Sequence, residues 1–188
     1  MIGLTALALV IGIGGVLAYA ATKPDVFRVE RNINVKASPD KVHALINDFS
    51  HWGAWSPYEK KDPAMKRTFR GPNAGKGAAY AWDGDDSIGA GQMEVLESAP
   101  GRIVIKLDFV RPFEAHNVAE FTMQPAADGT DVTWAMYGPN LYIGKVMGLF
   151  LDIDRMVGDD FEAGLADLKA AAERWMRRRS TLSSGEKT

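Results

Sequence analysis

Residues 141–179 read LYIGKVMGLFLDIDRMVGDDFEAGLADLKAAAERWMRRR, and this segment decides the fold that the sequence predicts. Its apolar residues recur at steps of three and four, the spacing that places side chains on one stripe of a helix. The stripe consists of Val146, Phe150, Ile153, Val157, Phe161, Leu165, Leu168, Ala172 and Trp175. Gly158 is expected to divide the helix into an entry segment and a main segment. A helix with one apolar stripe needs an apolar partner surface.

The chain before this helix supplies the partner surface, because its apolar residues alternate with polar ones and turn residues separate the short runs. This pattern is typical of antiparallel strands with one buried face. Strands are predicted at residues 27–35, 65–70, 78–82, 92–98, 102–110, 116–124 and 130–138. The predicted fold class is therefore α+β, with about seven antiparallel strands in a curved sheet around one long C-terminal helix.

Two short helices are predicted after the first strand. Ser38, Pro39 and Asp40 give an N-cap, a proline in the first turn and an acidic residue there. The aromatic stretch that follows ends at Pro57. In the first strand, Arg31 falls on the apolar face, and we interpret it as a bulge or a strand end at the rim.

Composition excludes several classes of function. Among 188 residues, 46% are hydrophobic and the net charge is −2, so a nucleic-acid partner is not expected. The chain has no Cys, and His43, His51 and His116 are scattered. No phosphate-binding loop or zinc motif is present, and we predict no metal and no cofactor.

The amino terminus is uncharged from Ile2 to Ala21, a length that fits the hydrocarbon core of a bilayer. We predict a single-pass membrane anchor over residues 1–22. The alternative is a signal peptide, since Ala18-Tyr19-Ala20 has the small-x-small form of a cleavage site. Basic residues follow the segment rather than precede it, which favours a domain on the cytoplasmic side, with the periplasmic or extracellular side as the alternative.

Several motifs, in their order along the chain, resemble the SRPBCC superfamily and, within it, the polyketide cyclase/dehydrase-like branch. They are INVKASPDKV at 33–42, NDF at 47–49 with Trp52 and Trp55, DPAMK at 62–66, YAWDG at 80–84, GTDVTW at 129–134 and DFEAGL at 160–165. The resemblance implies a helix-grip fold, START-like or Bet v 1-like, over residues 26–176. It also implies a hydrophobic cavity between sheet and helix, and it supplies no catalytic motif. Residues 177–188 are predicted to be a disordered basic and polar tail.

The residues expected to line this cavity are aromatic side chains and methionines on the elements that would enclose it. They are Trp52, Trp55, Tyr58, Tyr80, Trp82, Met93, Phe109, Phe121, Trp134, Met136, Met147 and Phe150. Ordinary core packing explains the same residues. Met147 and Phe150 are placed at the mouth. Asp154 on the long helix is the candidate catalytic base, with a solvated helix position as its alternative.

Three functions remain open from the sequence. The first is a membrane-anchored binding module for a hydrophobic small molecule such as a lipid, a quinone or a polyketide-like compound. The second is a cyclase or dehydrase that uses a pocket carboxylate, without metal or nucleotide. The third is an interaction protein whose core is closed by its own side chains. The sequence does not predict an oligomeric state.

Overall fold

The fold is one antiparallel sheet with a long C-terminal helix packed on its concave face. A computed structural model describes the backbone of residues 2–184 and the side chains of residues 10–174. The helices are α1 (Ile2–Ala21), α2 (Pro39–Asn47), α3 (Pro57–Lys61), α4 (Tyr142–Met147) and α5 (Ile153–Ser184), with a 3₁₀ turn at Phe49–Ala54. The strands are β1 (Val26–Val35), β2 (Lys66–Arg70), β3 (Ala79–Asp83), β4 (Ala90–Ala99), β5 (Arg102–Arg111), β6 (Ala115–Ala126) and β7 (Gly129–Pro139).

The seven strands have the order β1-β7-β6-β5-β4-β3-β2, and each neighbouring pair is antiparallel. Each predicted strand is present, with its ends displaced by two residues or fewer. Register shifts between β4 and β5, at Ala90/Gly91 and Val95/Glu97, are places where an antiparallel pair bends. The α+β class and the helix-grip arrangement are therefore confirmed.

The apolar stripe of α5 covers the β1 and β7 side of the sheet. Phe161, Leu165, Leu168 and Ala172 are buried, as the helical spacing predicts. The ring of Phe161 stacks on the indole of Trp134 in β7. Gly164 leaves room for this contact, because a Cβ there would come within 2.8 Å of both Trp134 and Pro57.

The break in the C-terminal helical region lies elsewhere than predicted. The chain leaves the helix between Met147 and Ile153, whereas Gly158 lies inside α5. Phe150 and Ile153 are consequently exposed rather than part of the buried stripe. Within the predicted tail, residues 177–184 continue α5 to Ser184, and residues 185–188 lie outside the described residues. No glycine or proline follows Gly164 in the sequence until Gly185, so nothing in that stretch disfavours a helix. The side chain of Trp175 lies outside the described residues.

Arg31 is neither in a bulge nor at a strand end, which corrects the prediction made for it. It pairs with Trp134 in the continuous register of β1 and β7. From the concave face its guanidinium binds two carboxylates of α5, Asp154 at 3.0 Å and Glu162 at 2.9 Å. Gly158 makes this possible, since a Cβ there would lie 1.9 Å from Nη2 of Arg31. Arg31 therefore fastens α5 to β1.

The amino-terminal helix α1 packs beside α4, where the hydroxyl of Tyr142 donates to the carbonyl of Leu17 at 2.8 Å. Within the part of the chain that the structure describes, no helix is long and apolar enough to cross a membrane. The predicted anchor is thus unsupported, and the side chains of its residues 1–9 lie outside the described residues.

Candidate functional site

The aromatic side chains that the sequence groups together form two separate sets. The first set, here called the deep cluster, comprises Trp52, Trp55, Phe121, Trp134 and Phe161, all buried. Ring centroids of Trp52 and Trp55 are 4.8 Å apart, and those of Phe121 and Trp134 are 5.0 Å apart. The indoles of Trp52 and Trp55 donate to the carbonyls of Ile46 and Leu45, at 2.8 and 3.0 Å. These rings fill the core and hold the 3₁₀ turn against α2.

Two polar atoms near the deep cluster have no hydrogen-bond partner among the described residues. They are the indole nitrogen of Trp134 and the hydroxyl of Ser56, both buried. A buried donor without an acceptor costs free energy, on the order of 1–3 kcal/mol. Trp134 is therefore the one cluster member whose polar tip is not explained by packing in the described part of the chain.

The second aromatic set lies on the concave face of β2, β3 and β5, away from α5. It consists of Phe69, Tyr80, Trp82 and Phe109 and is called the open aromatic row below. Successive centroids are separated by 5.1 Å, 6.3 Å and 5.7 Å along this series. Trp82 and Phe109 are half-buried, and Phe69 is 53% exposed.

Gly91 accounts for the position of Trp82 in the open aromatic row. A Cβ on Gly91 would come within 2.5 Å of the Trp82 ring, so a larger residue would lift the indole from the sheet. The indole nitrogen of Trp82 donates to the carbonyl of Ile88 at 3.2 Å, which fixes the ring orientation. Phe109 meets this ring edge to face.

A polar group borders the row at Tyr80. The Glu59 carboxylate accepts a hydrogen bond from the Tyr80 hydroxyl at 2.6 Å and one from Arg67 Nε at 2.8 Å. The Glu59 side chain is only 9% exposed, and these two donors offset the loss of its contacts with water. Burial, and then the hydrogen bond to Glu59, raise the pKa of Tyr80 above its ordinary value. Tyr80 therefore remains a proton donor at neutral pH.

A cleft of about 460 Å³ opens beside the row. Phe49 and Phe69 form its apolar wall, and residues 70–73 and Asp48 form the polar side. Both phenyl rings also contact Tyr80, with centroids 5.8 and 5.1 Å away. The volume lies within the range of small-molecule sites.

Another cleft, of about 290 Å³, has a more charged lining and includes Gln92, Glu94, Lys106 and Asp108. Asp108 is buried and binds Lys106 Nζ at 2.7 Å and His116 Nδ1 at 2.8 Å. Burial acts to raise the pKa of Asp108, but hydrogen bonds from Lys106 and His116 outweigh it and lower that pKa. The hydrogen bond to Asp108 raises the pKa of His116.

The structure distributes the predicted cavity residues over three environments. Trp52, Trp55, Tyr80, Met93, Phe121, Trp134 and Met136 are buried, and Tyr58, Trp82 and Phe109 are half-buried. Met147 and Phe150 are exposed and lie apart from both aromatic sets. Asp154, the candidate base, is an exposed carboxylate held by Arg31.

The sequence interpretation did not assign a role to Phe69 or Arg67, and it selected Asp154 rather than Glu59 as the candidate base. Phe69 and Arg67 share one face of the predicted strand 65–70, which was a usable signal for a side chain beside Tyr80. Nothing in the local sequence indicates that Glu59 meets both Arg67 and Tyr80. Among the residues that the structure describes, no group of three or more His, Cys, Asp and Glu is placed to hold a metal ion.

Comparison with known proteins gives a family match for most of the chain. Residues 26–173 match the family described as Polyketide cyclase / dehydrase and lipid transport. No curated protein matches the chain. The family match and the structural likenesses confirm the predicted relationship to the SRPBCC superfamily.

Solved structures share the fold at low sequence identity. Protein CV1439 from Chromobacterium violaceum is 19% identical with a TM-score of 0.56, over 80% of this chain and 99% of that one. Major latex-like protein 151 from Panax ginseng is 13% identical with a TM-score of 0.53, over 79% and 99%. The di-domain ARO/CYC protein StfQ from the steffimycin pathway is 14% identical with a TM-score of 0.56, over 80% of this chain and 52% of that one.

Proposed function

The chain belongs to the polyketide cyclase / dehydrase and lipid transport family, and we propose that it binds a hydrophobic small molecule beside the open aromatic row. The observation that carries this proposal is the cleft of about 460 Å³ whose apolar wall is Phe49 and Phe69. Small-molecule sites commonly combine an aromatic wall of this kind with polar groups that orient the ligand, as Asp48, Arg70 and Asn73 can do here.

The ligand class follows from the side chains that meet at this place. Phe49 and Phe69 line the cleft, and both rings pack against Tyr80 beneath them. An aromatic wall of this kind favours a flat molecule with rings of its own. Arg70 and Asn73 line the polar side of the cleft and can donate hydrogen bonds to one polar group of the ligand. A polyketide-like or quinone-like compound has both features, whereas a simple acyl chain uses only the first.

Binding of a neutral naphthylamine dye to the full chain tests the proposal, with fluorescence as the readout. Phe69→Ala should weaken the affinity about tenfold, which corresponds to about 1.4 kcal/mol of lost apolar contact. Phe113→Ala is the matched control, because Phe113 is another exposed phenylalanine outside the row. If Phe69→Ala binds the dye as tightly as the unchanged chain, or if Phe113→Ala loses as much dye affinity as Phe69→Ala, the dye does not bind in this cleft.

The buried Glu59 and Tyr80 pair favours a second candidate function, an enzyme of the cyclase or dehydrase kind. In such a reaction Glu59 would accept the proton from an acidic C–H bond, and the electron pair of that bond would form an enolate. The Tyr80 hydroxyl would then donate a hydrogen bond to the enolate oxygen. Asp154 is less suited to the base role because its carboxylate is exposed and lies on α5, away from the open aromatic row.

Glu59→Gln separates the two candidate functions. An enzyme that uses Glu59 as base should lose turnover of a linear poly-β-ketone by about 100-fold or more while dye affinity stays within a few fold. Asp154→Asn should leave turnover nearly unchanged. Turnover that falls with Asp154→Asn and not with Glu59→Gln would assign the base to Asp154 instead. If the unchanged chain shows no turnover, the binding function stands alone.

A further inference from the structure

We propose that one end of the molecule, formed by α1, the β5–β6 turn and the α4–α5 connection, docks into the apolar layer of a neutral lipid bilayer. This surface is called the apolar end below. The inference concerns a partner of the chain and does not depend on which ligand the cleft takes.

Exposed large apolar side chains are concentrated at the apolar end. Phe113 in the β5–β6 turn and Phe150 in the α4–α5 connection are both 73% exposed. Val110, Ile143 and Met156 are exposed to a similar degree. In the part of the chain whose side chains are described, only Phe69 and Leu96 are large exposed apolar residues away from this end. Exposed apolar residues that collect at one end of a molecule mark an interaction site more often than ordinary surface.

The strand register brings these segments to the same end of the sheet. Val26 at the start of β1 pairs with Pro139 at the end of β7, so α1 and α4 leave the sheet together. Phe109 pairs with Ala115 across the β5–β6 turn, and Val118 pairs with Tyr137. The turn that carries Phe113 therefore lies at the end of the sheet where β7 finishes and α4 begins.

The one charged side chain in the α4 region is buried and paired, so it contributes no free charge to this surface. Between Pro139 and Leu151 the only charged residue is Lys145. Its side chain is 8% exposed, and its ammonium binds the Asp25 carboxylate at 2.5 Å. The α4 segment therefore presents apolar groups without a free cation, while Arg111 binds Asp83 beside the β5–β6 turn. The chemistry of the α4 segment matches hydrocarbon rather than anionic headgroups.

The α1 helix, which packs beside α4, is also apolar and uncharged. Its 20 residues, Ile2–Ala21, contain no charged side chain, and it contacts α4 through the Tyr142 hydroxyl. The uncharged helix, α4 and the exposed Phe113 therefore contribute apolar groups from separate segments of the chain to the same end of the molecule. A fluid hydrocarbon layer accommodates such a surface, since it requires no matching shape.

Site-specific labelling of the full chain tests the docking. The chain has no Cys, so Phe113→Cys, Phe150→Cys and Leu96→Cys each create one position for an environment-sensitive fluorophore. The labelled proteins are mixed with phosphatidylcholine vesicles, with or without nitroxide on the acyl chains. Labels at positions 113 and 150 should shift to shorter emission wavelength and lose fluorescence to the nitroxide, whereas the label at 96 should change little. Salt between 0.1 and 0.5 M should not reverse the shift, because the contact is apolar.

Three results would overturn the proposal. The chain could fail to float with the vesicles. It could float while the labels at 113 and 150 stay unquenched, in which case α1 alone attaches it. The labels could be shielded without lipid in a chain that sediments as a dimer, in which case the apolar end joins two copies. Dye binding by the same proteins without vesicles reports on the cleft separately, so failure of docking and failure of ligand binding are distinguishable.

Discussion

The indole of Trp134 and the phenyl ring of Phe161 stack with centroids 4.0 Å apart and planes inclined by 9°. This contact joins β7 to α5 at the centre of the deep cluster. Trp55 and Phe121 meet the same indole from other directions, with centroids 5.5 and 5.0 Å away. The position of α5 on the sheet therefore depends on these rings.

Truncation of Phe161 should destabilise the fold strongly. Phe161→Ala removes a buried ring and leaves a cavity beside Trp134, and we expect a loss of about 3–5 kcal/mol in the free energy of unfolding. Met156→Ala is the control on the same helix, because Met156 is exposed, and it should change stability by about 0.5 kcal/mol or less. Urea titration followed by tryptophan fluorescence measures both. Similar small losses for the two variants would mean that the stripe is not packed.

Arg31 and Gly158 should be energetically coupled. Gly158→Ala alone should destabilise, because its Cβ displaces the guanidinium that binds Asp154 and Glu162. In an Arg31→Ala background the same change should stabilise by about 0.5–1 kcal/mol, the ordinary preference of a helix for alanine over glycine. A double-mutant cycle measures the sign change. The same effect of Gly158→Ala in both backgrounds would contradict the contact.

The hydrogen bond from Tyr80 to Glu59 should be among the stronger polar contacts. Tyr80→Phe removes a neutral donor from a buried carboxylate, and we expect a loss of about 1.5–3 kcal/mol. Tyr137→Phe is a matched control, since the Tyr137 hydroxyl donates to the more exposed Glu120 over 3.3 Å. It should cost about 0.5 kcal/mol or less. Equal losses in thermal or urea unfolding would show that burial of Glu59 does not strengthen its bond.

The pKa of His116 should lie above the ordinary value for His, and the pKa of His43 should lie below it. The hydrogen bond to Asp108 raises the pKa of His116, with a smaller contribution from Glu114, whereas burial lowers the pKa of His43. The His116 contribution to stability is complete below the unfolded pKa of about 6.5 and is lost as pH rises through the folded value. His43 acts in the opposite sense, because the unfolded chain binds its proton more readily and stability falls as pH drops below about 6.5.

Proton NMR of the histidine rings measures these two pKa values. Asp108→Asn should move the pKa of His116 back toward its ordinary value and leave that of His43 where it was. A His116 pKa that does not respond to Asp108→Asn would mean that the bond between the two side chains is absent in solution.

The sheet and the main part of α5 are predictable because each follows from a local repeat. Alternation gives the strands, and steps of three and four give Phe161, Leu165 and Leu168. The break before α5 is not predictable in this way, because Phe150 and Ile153 continue the helical spacing across it. Their exposure depends on α4 packing beside α1, a contact between distant segments.

The candidate site was only partly predictable for a related reason. The sequence identifies which aromatic residues are present and which strand face they occupy, but not which rings pack on one another. Trp134 joins the deep cluster because Phe161 covers it. Trp82 stays half-buried because α5 covers the β1 and β7 end of the sheet, whereas Trp82 lies in β3 near the opposite end. Arg31 likewise finds Glu162 only after the chain has folded, across 131 positions of sequence.

The pairing of β1 with β7 has a consequence for synthesis on the ribosome. Val35 of β1 pairs with Thr130, and Val26 pairs with Pro139. The first strand to leave the ribosome, β1, therefore has no hydrogen-bonding partner until the last strand, β7, has been synthesised. Strands β2 to β7 each neighbour the next one in sequence and can pair as they appear. A nascent chain therefore keeps one alternating apolar strand without a partner until nearly the whole domain has been translated. Pairing between segments so far apart in sequence slows folding, and the unpaired strand is exposed to aggregation in the meantime. We expect chaperones to bind the amino-terminal half of the nascent chain during this period.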